Sequence, residues 1–202
     1  MVAASGSTSI SGTGGASGST AGSGGDFTGE AGEAGAPAEV PGMLLNPDFE
    51  LGSGTDVQSW TSTGDVAAAT IVYQQAEHGF GRLGHWLMAG AYKVSTSQVV
   101  QPLPDGNYTF KIWVEHSLVL NEEYIFARGY SHAQPAAQMK LDTTGANDLT
   151  YTQIVIEHIP VTSGKCEVGI YTDGGTDSKA NWSLIDNAEF TLEPPATSQA
   201  AY

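Results

Sequence analysis

Trp113, Arg128 and Tyr130, with Lys111 and Glu115 beside the first, are the residues whose types could do chemistry as a group. An aromatic ring next to charged groups can hold a polyhydroxylated ligand. The ring lies under an apolar C–H face, and the charged groups make strong hydrogen bonds to the hydroxyls. All five lie between Asp105 and Tyr130. The Pro104-Asp105-Gly106-Asn107 run carries the residue types of a tight turn. Beyond it, Tyr108, Phe110, Ile112 and Val114 alternate with Thr109, Lys111, Trp113 and Glu115, and period two sends the two sets to opposite faces of a strand. After a polar break at Asn121-Glu122-Glu123, Ile125, Ala127 and Gly129 oppose Tyr124, Phe126, Arg128 and Tyr130. Each predicted strand offers an apolar face and a face mixing aromatics with charge. Trp113, Arg128 and Tyr130 are therefore expected on one binding face.

Further candidates lie outside that stretch. In 165–172, Cys166, Val168 and Ile170 point inward by parity, which leaves Glu167 and Tyr171 on the other side. Trp86 sits in a Gly-punctuated loop, and Trp182 precedes the last predicted strand. Each aromatic has an alternative use as a core residue. Asp48 and Glu50 flank Phe49 and so share one face of a first strand, while Asp186 lies in the last. Paired first and last strands would bring the three carboxylates together, an all-oxygen set suited to Ca²⁺. Solvated acids near strand ends are the alternative. The five His (78, 85, 116, 132, 158) lack metal-binding spacing and there is one cysteine, so zinc is not expected. Glu115, Glu122, Glu123, Asp173 and Asp177 could supply the two carboxylates of a glycosidase, but no motif marks a catalytic pair, a nucleophile elbow or a phosphate loop.

The elements that must position these residues follow from composition. The chain has 202 residues, with 22 acids against 7 bases and a formal charge of -15. That balance argues against nucleic acid and anionic membrane as partners. No apolar run approaches the roughly 20 residues of a membrane span. Residues 1–41 are Gly, Ser, Thr and Ala with a few acids, too poor in apolar groups to offset the entropy of ordering, so they read as a disordered linker that tethers the domain to something else. No basic stretch followed by an apolar core opens the sequence, so no signal peptide is predicted; the acidity fits a secreted, extracellular protein.

From residue 42 the composition changes. MLLNPDFE, 66–73, 91–103, 151–161, 165–172 and 182–193 read as strands besides the pair above. In 91–103, Val94, Thr96 and Gln98 oppose Ser95, Ser97 and Val99. No long stretch keeps a 3.6-residue period. Many short strands separated by turns predict an all-β fold, an antiparallel β-sandwich over 42–193, with a tail at 194–202.

With these residues in view, 44–193 resembles carbohydrate-binding module family 61, appended to endo-β-1,4-galactanases. The matching stretches are LLNPDFE, GHWLMAGAYKVSTSQVV, PDGNYTFKIWVEHS, YIFARGY, GKCEVGIYTDGG and ANWSLIDNAEF. The resemblance implies a galactose-binding-type jelly roll, a non-catalytic role on β-1,4-galactan (a pectin side chain), and a structural Ca²⁺ on Asp48, Glu50 and Asp186. Trp86, Trp113, Arg128, Tyr130 and Asn181 match motif positions and become expected ligand contacts; Lys111, Glu115 and Tyr171 join them on strand parity. A monomer tethered to an enzyme or a cell surface is the implied arrangement. Two other functions stay open, a jelly-roll lyase or glycanase using the same cleft and an adhesive surface domain.

Overall fold

Alternating sequences give long, regular strands here because one side of each can be buried while the other meets water. The computed structural model describes residues 43–74, 76–117, 119–132, 134–142, 150–176 and 181–194. All belong to one compact unit, 38–202. The whole expected linker, 1–41, lies outside the described residues, as do 195–202 of the tail and the candidate Asp177.

Among the described residues twelve strands follow in order: β1 (Gly52–Ser53), β2 (Asp56–Val57), β3 (Thr61–Gly64), β4 (Ala69–Val72), β5 (Arg82–His85), β6 (Tyr92–Val100), β7 (Gly106–His116), β8 (Leu120–Arg128), β9 (Ala137–Lys140), β10 (Thr152–Val161), β11 (Cys166–Gly174) and β12 (Ser183–Leu192). Beyond a small β1-β2 ribbon, they form two five-stranded sheets. The first runs β10-β7-β12-β5-β4 and the second β3-β6-β11-β8-β9. Every pairing is antiparallel. The sheets face each other over a shared core, the jelly-roll β-sandwich expected from the sequence. From the first sheet that core takes Phe110, Ile112, Val114, Ile185 and Phe190; from the second it takes Val94, Ile125, Val168 and Ile170. The parities read for 91–103, 105–116 and 165–172 match these inward residues.

Two expected elements differ. The MLLNPDFE stretch is a turn, with Asn46 at φ 51° and Phe49 at φ 52°. The Asn46 side-chain amide fixes it, donating to the Leu51 and Gln58 carbonyls (both 2.9 Å) and accepting from the Leu51 N–H. Phe49 is driven into the core against Trp60, ring centroids 5.0 Å apart, and the Trp60 indole N–H caps the Asn46 carbonyl. Strand parity therefore does not place Asp48 beside Glu50. Second, the polar run Asn121-Glu122-Glu123 lies inside β8, so Glu123 shares the inward side of Ile125.

Phe110 is wholly buried and directly opposite Phe190, which stacks on Tyr108 at 4.9 Å. Phe110→Ala is expected to destabilise the fold by about 3–5 kcal/mol through lost burial and a residual cavity, read as a shift in the urea midpoint with the m-value unchanged.

Candidate functional site

The outer face of the second sheet gathers aromatics and charge in ordered rows. On that face Tyr171 of β11 lies between Ser95 of β6 and Tyr124 of β8. The two tyrosine rings stack, centroids 4.9 Å apart and planes 28° from parallel. Phe126 meets Tyr124 edge-on at 6.4 Å, and the Arg128 guanidinium lies 4.8 Å over the Phe126 ring. The next residue of β11 outward is Gly169, where a Cβ would come within 2.9 Å of Phe126 and 2.5 Å of the Thr96 carbonyl; only glycine leaves that room.

Ion pairs border the aromatic rows. Arg128 holds Glu167 in a two-pronged pair (2.8 and 2.6 Å), and Ser97 adds a third bond to the same carboxylate. These bonds, the Arg128 one foremost, hold the Glu167 carboxyl below its usual range. At the other end Lys93 pairs with Asp173 at 2.8 Å, and Lys140 pairs with Glu122. Between the ends, Thr63, Ser95, Tyr124, Phe126, Arg128 and Tyr171 line a depression of about 150 Å³. The half-buried Tyr124 and Tyr171 rings, backed by Phe126 at 3 % exposure, with fixed charges at the margins can seat an apolar sugar face and hydrogen-bond its hydroxyls.

Beneath one end of this face runs a buried polar chain that ties the sheets together. His85 of β5 is fully buried, with Nδ1 2.8 Å from the Thr172 hydroxyl and Nε2 2.9 Å from the Thr96 hydroxyl. Thr172 donates to Glu123 at 3.1 Å, so its oxygen receives the His85 Nδ1–H, and Nε2 in turn accepts from Thr96. Ser62 then completes the series on Thr96 at 2.9 Å. Burial keeps the imidazole neutral, lowering it to about 3, and raises Glu123 to about 7. The second Glu123 oxygen lies 3.5 Å from His116 Nδ1.

The residues expected as one site fall into separate places. Arg128 and Tyr171 lie on the face just described. Trp113, Lys111 and Glu115 lie on β7, in the other sheet, facing outward from the opposite side of the sandwich; Lys111 sits 3.7 Å from Glu189. The shared face expected for Trp113, Arg128 and Tyr130 is thus corrected, because β7 and β8 cross from one sheet to the other. Tyr130 is a core residue, 5 % exposed, with its hydroxyl donating to the Pro135 carbonyl at 2.6 Å. Gly129 before it has φ 68°, which breaks the alternation of β8 and turns Tyr130 inward.

Asn181 is buried too. Its amide joins the Gly175 carbonyl (2.8 Å) to the Gly90 carbonyl (3.2 Å), and Tyr92 donates to the Asn181 and His85 carbonyls. It braces the loop that carries Trp86 at the end of the sandwich. Trp86 itself is 38 % exposed. Tyr124 and Phe126 are site residues the sequence did not single out, although the alternation already placed both beside Arg128; Glu167 lies on the outer side that parity gives it.

Of the expected metal ligands, Glu50 and Asp186 converge on one loop. Glu50 accepts the Phe80 and Gly81 N–H groups, and Asp186 accepts His78 at 2.8 Å and Asn187 at 2.7 Å. Asp186 has no exposed surface, and burial pushes it up to about 6. The turn and the last strand meet where the Ala188 N–H donates to the Pro47 carbonyl. Among the described residues no cluster of three or more His, Cys, Asp or Glu side chains forms a metal cage.

The two-sheet jelly-roll fold is shared with solved structures of different kinds. Among solved structures the chain is similar to TmCBM61 in complex with β-1,4-galactotriose, at TM-score 0.62 and 24 % identity over 75 % of this chain and 99 % of that one. It is also similar to the enzymatically active domain of tailspike protein 4 of bacteriophage CBA120 (TM-score 0.53, 12 % identity, 73 % of this chain and 22 % of that one). A third is the arabinose-bound α-L-arabinofuranosidase MgGH51 (0.51, 10 %, 73 % and 26 %). No protein-family model and no curated protein matches the sequence.

The buried Glu123 predicts a pH dependence. Above pH 4.5 the unfolded chain ionises this carboxyl, whereas the folded chain keeps it protonated up to about pH 7. Folding then binds a proton, so this group's contribution makes stability fall as pH rises through that interval. Glu123→Gln is expected to flatten the decline in urea midpoint between pH 5 and pH 8. An unchanged slope would place the proton elsewhere.

Proposed function

We propose that the chain is a non-catalytic carbohydrate-binding module that takes β-1,4-galactan on the outer face of the second sheet. The observation that carries this reading is the Tyr124–Tyr171 stack set among Phe126, Arg128 and polar side chains in an open depression. The likeness to TmCBM61, solved with galactotriose, supports galactan as the polymer. Each ring contributes on the order of 0.5–1.5 kcal/mol by analogy with aromatic pairs, so micromolar to millimolar affinity is expected.

Binding suits this face better than hydrolysis. A glycosidase needs a protonated acid beside the scissile bond. Here Glu122, Glu167 and Asp173 are each ion-paired, Glu167 is held toward its charged form, and the carboxyl raised by burial points into the core. On this reading the module acts as a tethered monomer outside the cell and raises the local concentration of its cargo on the polymer. No described helix is long and apolar enough to cross a membrane.

A structural Ca²⁺ is part of the proposal. The Glu50 and Asp186 carboxylates both accept N–H groups of the same 77–81 loop, and the Asn187 amide donates to Glu77 at 3.4 Å, so hard carboxylate oxygens of the kind that suit this cation gather there. Glu50 and Asp186 would hold the ion, joining the start of the domain to its last strand. Asp48 has no described contact that would bring it in.

Two outcomes test the function. Isothermal titration with β-1,4-galactotetraose is expected to saturate for the wild type, to weaken about tenfold in Tyr171→Ala, and to be unchanged in Trp113→Ala. Loss in Trp113→Ala alone would move the site to the first sheet. For the ion, Ca²⁺ is expected to raise the wild-type Tm, with EDTA reversing the rise and Asp186→Asn abolishing it; a Tm indifferent to both reagents would remove calcium from the account.

A further inference from the structure

The outer face of the second sheet continues past the aromatic rows. Thr61 and Thr63 of β3 point the same way and pair with Ser97 and Ser95 of β6. Two residues beyond Ser97 is Val99, at the edge of a second, larger depression of about 360 Å³ lined by Met43, Ser59, Thr61, Val99 and Gln101 among others. Ser95 to Val99 spans about 13 Å at the rise of an extended strand. Between them lie the small side chains of Ser95, Ser97 and the two threonines, with Gly169 bare; on the β11 side, Glu167 opposite Val99 bonds the Ser97 hydroxyl and with Arg128 forms a charged rim.

The lining repeats the chemistry of the aromatic end in aliphatic form. Met43 and Val99 are 59 % and 51 % exposed, which leaves apolar surface in water beside the Ser59 and Thr61 hydroxyls and the Gln101 amide. The walls are fixed beforehand. Gln98, 8 % exposed, accepts from the Leu45 N–H at 2.7 Å and donates to the Leu45 and Ser59 carbonyls, both at 2.9 Å. One buried side chain thus holds both rims, and a preformed groove loses little on ordering when it binds.

We infer that this depression is a second subsite of the same groove, taking further hexose units of a β-1,4-linked chain whose first units lie on Tyr124 and Tyr171. The inference rests on the carbohydrate reading above and adds to it a length and a direction, along β6 from Ser95 toward Val99. Its occupant is the continuation of the same polymer, because the two depressions share the β3 and β6 walls.

The test is titration of the full chain with β-1,4-galactotriose and β-1,4-galactohexaose, for the wild type and a variant carrying Met43→Ser and Val99→Ser. Both side chains are more than half exposed, so the variant is expected to keep the wild-type Tm. The wild type is expected to bind the hexaose about tenfold more tightly than the triose. The variant is expected to lose that increment and keep its affinity for the triose. Equal affinity for both lengths in the wild type, or a hexaose increment that survives in the variant, would overturn the second subsite and leave the first intact. No binding of either length by the wild type would overturn the carbohydrate reading and the inference with it.

Discussion

A strand side chain has two sides available, and the antiparallel register decides which neighbours it meets on each. In β8 this constraint separates adjacent residues completely. Glu123 goes inward, into the polar chain that joins the sheets, while Tyr124 goes outward and stacks on Tyr171. A one-residue slip of β8 against β11 would put the tyrosine in the core and the carboxylate on the face. The inward anchors Ile125, Val168 and Ile170, all buried, fix that register, so the aromatic face follows from the packing on its reverse side.

The His85–Thr172–Glu123 series is the costly part of this design. A carboxyl and an imidazole are taken out of water, and both respond by favouring their neutral forms. Directed hydrogen bonds across the two sheets offset the desolvation and fix how the sheets sit at that end. The consequence reaches the surface. His85 is followed by Trp86, and Tyr92 and Asn181 clamp the same loop to its neighbours, so the rigidity of the loop end is built on buried polar groups.

The fold was legible in the sequence because alternation and turn chemistry are local signals, and 91–103, 105–116 and 165–172 read correctly residue by residue. The site was legible only in pieces. Periodicity shows which residues of one strand share a side and carries no information about which sheet a strand joins. Trp113 and Arg128, fifteen positions apart on consecutive strands, therefore look like neighbours and lie on opposite sides of the sandwich. Tyr130 was assigned by carrying parity through Gly129, where a left-handed backbone ends it. Asp48 and Glu50 were read as strand residues across Phe49, whose own left-handed φ makes the segment a turn. Glu123 reads as part of a polar break because a carboxyl inside a core is rare; its partner Thr172 lies about 50 positions away and leaves no local trace.

The central claim is that one face of the second sheet holds the ligand. A ¹H–¹⁵N correlation spectrum recorded while β-1,4-galactotetraose is titrated in tests it most directly. The account predicts that the largest shifts fall on Ser95, Ser97, Tyr124, Phe126 and Tyr171, with the amides of Lys111, Trp113 and Glu115 unmoved. Shifts centred on β7, or confined to the Trp86 loop, would contradict it.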